Sequence, residues 1–176
     1  RHYGIEPRFL QAARTLDFER DELVMLDEVS GDTYTQPLAP LIAADGAGSV
    51  VRRAMTGQLG VRVAEDMLDH GYKELTLPAG GDGSHRIERN ALHIWPRGGF
   101  MLIALPNPDR SFTATLFLPH RGTPSFAEVG LAKVGAFFRS EFPDAAPLMP
   151  ALEADYRNHP TGVLGTVYCK PWSHGD

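Results

Sequence analysis

Three runs decide the fold: HGYKELTLP at residues 70–78, ALHIWPRGGFMLIALPN at 91–107 and SFTATLFLP at 111–119. Side chains alternate across an extended strand, so in the first run Tyr72, Glu74 and Thr76 point one way and Lys73, Leu75 and Leu77 the other. In the second, Met101, Ile103 and Leu105 oppose Phe100, Leu102 and Ala104; in the third, Thr113, Thr115 and Phe117 oppose Phe112, Ala114, Leu116 and Leu118. The turn residues Pro106-Asn107-Pro108-Asp109 make the last two strands antiparallel neighbours. The uniformly apolar sides predict packing against helices. The mixed sides, with hydroxyls, a methionine and one aromatic, predict a wall suited to a flat aromatic ligand. A strand buried on both faces shows the same periodicity, so a purely structural core stays open at this point.

Outward from these runs, Glu22 to Val29 and Thr33 to Gln36 flank Ser30-Gly31-Asp32 and read as a hairpin. The apolar run Leu38 to Ala44 reads as a further strand leading into Asp45-Gly46-Ala47-Gly48-Ser49. That loop opens a helix from Ser49 to about Met55, with Ser49 as N-cap. Val61 to Leu68 and Tyr72 to Leu77 read as two strands parted by His70-Gly71, and Gly80 to Gly83 as a loop. In the last third the period becomes helical: Phe126, Val129, Val134, Phe137 and Phe138 fit a helix from Ser125 to Phe142, and Pro147 to Asn158 a second. Gly162 to Cys169 returns to a strand. The expected class is α+β, a mainly antiparallel multi-stranded sheet with helices on one face.

Composition bounds the function only broadly. A chain of 176 residues with 43% hydrophobic residues can bury one core. A net charge of −5 without a Lys/Arg-rich run argues against nucleic acid. No run reaches the ~18 apolar residues of a membrane span, and no secretory leader pattern opens the chain. One cysteine, Cys169, fits a reducing, cytoplasmic setting. The chain opens on Arg1 and closes on Ser173-His174-Gly175-Asp176, and reads as a fragment.

Several segments in order resemble the kynurenine 3-monooxygenase family of FAD-dependent aromatic hydroxylases: His70 to Leu75, Leu92 to Gly98, Phe100 to Asn107, Ser111 to Thr113, Phe142 to Ala145, and Gly165-Thr166-Val167 with Cys169, Pro171 and Trp172. The resemblance covers residues 38–172. It implies that Met101, Ile103, Leu105 and Phe117 line the substrate pocket, the same side that alternation groups together. Ala43 to Arg52 is similar to the Asp-Gly fingerprint of the class, with Ala43 where the family usually has glycine. By that resemblance Asp45, Gly46 and Arg52 sit near the FAD pyrophosphate and are linked to NADPH use. A loop at a helix N-terminus also has free N–H groups and a positive dipole end for a phosphate.

The resemblance implies residues 1–60 as part of an FAD domain, 61–172 as the substrate-binding sheet domain, and 173–176 as a return toward the FAD domain. The FAD-binding Rossmann part is largely absent, since no Gly-x-Gly-x-x-Gly occurs. The family's arginine and tyrosine for the substrate's amino-acid end belong to a part not present, so hydroxylation by this polypeptide alone is not expected. The implied partners are a small aromatic substrate, FAD and NADPH, with homodimerisation through an exposed apolar face. A related hydroxylase for a benzoate or phenol, and a non-catalytic aromatic-binding module, are the alternatives. The scattered histidines lack metal-ligand spacing, and Ser49, Ser111 and Ser125 lack a nucleophile-elbow context. Arg97 reads as a strand-end surface charge and Tyr72 as structural.

Overall fold

The computed structural model describes Gly4 and residues 6–175. The chain divides into two compact units, one of residues 1–66 with 166–176 and one of 67–165. Both have antiparallel sheets.

In the first unit β1 (Gln11–Asp17), β2 (Glu22–Asp27) and β3 (Thr33–Pro37) form a three-stranded sheet in that order. The expected hairpin is β2–β3, with Leu23 opposite Gln36 and Met25 opposite Tyr34. Leu16, Leu23 and Val61 are buried. Helix α1 (Val50–Leu59) is tied to β1 by Gln58, whose side chain accepts from Phe18 N–H at 2.9 Å and donates to Leu16 O at 2.6 Å. The expected strand at Leu38 to Ala44 does not form. That run has no ladder partner, and Ile42 is 95% exposed. Apolar composition without alternation gave it no face to bury.

The second sheet has the order β5-β6-β7-β4-β8. Its strands are β4 (Arg62–Leu77), β5 (His93–Pro96), β6 (Met101–Pro106), β7 (Phe112–Pro119) and β8 (Gly162–Lys170). The two strands expected around His70-Gly71 are one continuous strand, β4. Gly71 marks a close approach rather than a break: a Cβ there would lie 2.7 Å from His120 Cε1 and 2.8 Å from Gly162 O.

Helices α2 (Phe126–Glu141) and α3 (Leu152–Asn158), joined through a 3₁₀ turn at Ala146–Leu148, cover one face of the sheet of the second unit. Ser125 caps α2, its hydroxyl accepting from Glu128 N–H at 3.2 Å, in the Ser-x-x-Glu pattern of a capping box. Gly130, at φ 22°, kinks the helix. Leu102, Ala104, Leu116 and Phe112 pack against Val134 and Phe138 in the core of this unit. These strand residues are the uniformly apolar sides read from the sequence.

Candidate functional site

The opposite face of the sheet carries the residues expected at a substrate wall. Register places Met101 opposite Phe117 and Phe117 opposite Tyr72, so these three form one row across β6, β7 and β4. A second row runs Ile94, Ile103, Thr115 and Glu74, and a third Leu105, Thr113 and Thr76. Met101, Ile103, Leu105 and Phe117 therefore share one face. The wall is open: Met101 is 36%, Leu105 47% and Ile94 52% exposed. Side chains of this size on a sheet whose other face is a packed core form a contiguous apolar surface, the kind that marks a ligand or partner site. Polarity is graded across it, from Ile and Met on β5 and β6 through Thr113 and Thr115 on β7 to Glu74 and Thr76 on β4.

The loop before α1 brings together Asp45, Gly46 and Arg52. Asp45 Oδ2 accepts from Val50 N–H at 2.8 Å and Val51 N–H at 3.4 Å. Ser49 Oγ accepts from Arg52 N–H at 3.0 Å. Partial burial works to raise the Asp45 carboxyl, but hydrogen bonds from Ser49 and from the Val51, Asp45 and Val50 amides outweigh it and hold the group below 3.8. Gly46, at φ 72°, makes the turn that aims the carboxylate at the helix. Arg52 reaches back to the Gly46 and Ala47 carbonyls and Arg53 to Gly48 O, while Glu65 lies 3.8 Å from Arg52.

This corrects the expectation of free amides at the helix start. An aspartate five residues before Val50 already fills the place that a phosphate would take, a geometry that spacing alone does not reveal. As arranged, the first amides of α1 are taken by Asp45 and Ser49 within the loop itself. What the loop offers an anion is the positive charge of Arg52 and Arg53.

Arg97, read from the sequence as a strand-end surface charge, is instead half-buried and serves the fold. Its guanidinium donates from Nε to Glu141 O at 2.8 Å, at the end of α2, and lies 4.9 Å from the Phe142 ring centre. Lys73, missed by motif reading, is 6% exposed. Its Nζ donates to His159 O at 2.6 Å and sits 4.8 Å from the Tyr156 ring centre, and burial lowers its pKa from 10.5. Among the described residues no group of three or more His, Cys, Asp or Glu could hold a metal, and no helix is long and apolar enough to cross a membrane.

No family model matches the chain. Against individual proteins it is 47% identical over 172 residues to the kynurenine 3-monooxygenase of Stenotrophomonas maltophilia strain K279a, covering 96% of this chain and 37% of that protein. The chain is similar over nearly its whole length to kynurenine 3-monooxygenases. The kynurenine 3-monooxygenase of Myxococcus xanthus strain DK1622 is 44% identical over 169 residues, 96% of this chain and 36% of that protein. The chain thus spans little more than a third of the length of these relatives. Among solved structures, 2-methyl-3-hydroxypyridine-5-carboxylic acid oxygenase superposes with a TM-score of 0.62 at 17% identity, over 93% of this chain and 41% of that one. That likeness carries the α+β fold, with its antiparallel sheets and three helices, and not the substrate.

Proposed function

We propose that this chain supplies the substrate-facing sheet of an FAD- and NADPH-dependent kynurenine 3-monooxygenase, a cytoplasmic enzyme that hydroxylates L-kynurenine to 3-hydroxykynurenine. The observation that carries this is the open apolar wall of Met101, Ile103, Leu105 and Phe117, in a chain 47% identical to one protein of that name and 44% identical to another. A bound, reduced flavin would supply the oxygen activation that puts one oxygen atom on the ring. The part of this chain is positional. Met101 and Phe117, side by side on adjacent strands, offer the face of a flat ring sulfur and aromatic contacts. Ile103 and Leu105 extend the dry surface and keep water from the reacting ring. Asp45, Gly46 and Arg52 form the cofactor-side loop: Asp45 fixes the start of α1, Gly46 permits the turn, and Arg52 contributes charge.

The wall by itself is one side of a pocket, so the isolated chain binds L-kynurenine weakly and tends to pair through its apolar face. The experiment is NADPH oxidation by the gene product containing this chain, with L-kynurenine, a benzoate and a phenol in parallel. Turnover with L-kynurenine and formation of 3-hydroxykynurenine support the reading. Preference for a benzoate or phenol, or tight ligand binding by the isolated chain without NADPH oxidation, contradicts it.

A further inference from the structure

We propose that Tyr72 is a further substrate-contacting residue, which extends the wall across β4 and supplies a hydrogen-bonding group its apolar part lacks; this rests on the reading of that wall as an aromatic-substrate site. Tyr72 lies in the row of Met101 and Phe117, opposite Phe117 across the β4–β7 ladder. Strands are spaced ~4.8 Å apart, so the row extends about 10 Å, enough to face a one-ring ligand along its length. The Tyr72 and Phe117 rings are 6.3 Å apart and inclined by 39°, so together they present one aromatic surface.

The position of the ring is built into a neighbouring residue. A Cβ on Gly162 would lie 2.3 Å from Tyr72 Cε1, 2.4 Å from Cζ and 2.9 Å from the hydroxyl oxygen. The ring occupies the space that any other residue at 162 would need. Gly162 is not in the left-handed region, so its backbone conformation does not call for glycine there. Meanwhile, among the described residues, the hydroxyl has no hydrogen-bond partner and no side-chain oxygen or nitrogen is both buried and unpaired, so this hydroxyl is not sealed from solvent. A phenol held in place with its O–H unused is a donor and acceptor waiting for a ligand. The substrate class this suits is a single aromatic ring bearing a polar substituent such as an amine or a carbonyl.

The test measures KM, kcat and melting temperature in the gene product containing this chain, with L-kynurenine as substrate. Tyr72→Phe removes the hydroxyl alone and is expected to raise KM about tenfold with kcat and melting temperature nearly unchanged. Gly162→Ala keeps the phenol but displaces the ring, and is expected to raise KM as well. Met101→Ala reports on the wall itself. If Met101→Ala raises KM while Tyr72→Phe leaves it within about twofold, the wall stands and the role of Tyr72 is overturned. A Tyr72→Phe variant that only lowers the melting temperature makes Tyr72 structural and also overturns the proposal. If Met101→Ala too leaves KM unchanged, the wall reading itself fails.

Discussion

Asp155 Oδ2 accepts the Thr76 backbone N–H at 2.8 Å, and two residues back along β4 the Glu74 carbonyl accepts from His159 Nδ1 at 2.7 Å. Two backbone groups of a strand are thus satisfied by side chains of α3 and its C-cap rather than by another strand. Strand β4 lies between β7 and β8 in the sheet order, so these two bonds serve an interior strand and answer its backbone groups from a helix. Asp155→Ala leaves the Thr76 amide without its acceptor and should cost about 1–3 kcal/mol, read from urea unfolding. An unchanged midpoint would show that water replaces the carboxylate at no cost.

The Asp45 carboxylate takes the first two amides of α1, so Asp45→Asn, which keeps an accepting oxygen but removes the charge, should destabilise the first unit by about 0.3–1 kcal/mol at neutral pH. Its folded pKa is lowered below 3.8, so the folded state binds fewer protons near that pH than the unfolded state. The stabilisation is therefore present above about pH 4 and lost as pH falls through the lowered folded value. Thermal melts at a series of pH values should show the variant and parent converging in acid; parallel curves would contradict this.

Phe138, fully buried beneath the sheet of the second unit, and Met101, on the open face, should separate in their effects. Phe138→Ala should cost about 3–5 kcal/mol, whereas Met101→Ala should cost less than about 1 kcal/mol, because little area is recovered from water there. Chemical denaturation measures both, and similar losses would mean that the open face is covered.

Lys73 has its pKa lowered from 10.5 by burial, so between that lowered value and 10.5 the folded state holds fewer protons than the unfolded one. Unfolding free energy then gains from Lys73 as pH rises through that window. The raised pKa of Tyr156, whose cause is burial, works oppositely above 10.0. As pH rises through that window the parent should gain stability relative to Lys73→Met; a constant difference would show that the ammonium is solvated.

Much of the sheet was legible because its strands alternate. Leu102, Ala104, Leu116 and Phe112 could be assigned to one face from period two alone, and the helices followed from the spacing of Val134 and Phe138. The shared face of Met101, Ile103, Leu105 and Phe117 was legible for the same reason. Period two says nothing of which backbone groups a helix will satisfy, so the bonds of Asp155 and His159 to β4 were not visible. Nor was the row linking Tyr72 to Met101, which needs the register of three strands. Leu38 to Ala44 misled because hydrophobicity without a partner strand makes no ladder. At Asp45 the motif located the loop correctly, but only the fold shows the carboxylate turned onto Val50 and Val51.

The central claim is that the open face of the sheet is the aromatic-substrate wall. It is tested most directly by the KM for L-kynurenine of Phe117→Ala in the gene product containing this chain, beside its urea unfolding midpoint. The expected result is a KM raised at least tenfold with a modest change in midpoint, since Phe117 is only half-buried. An unchanged KM in a folded variant would contradict the account.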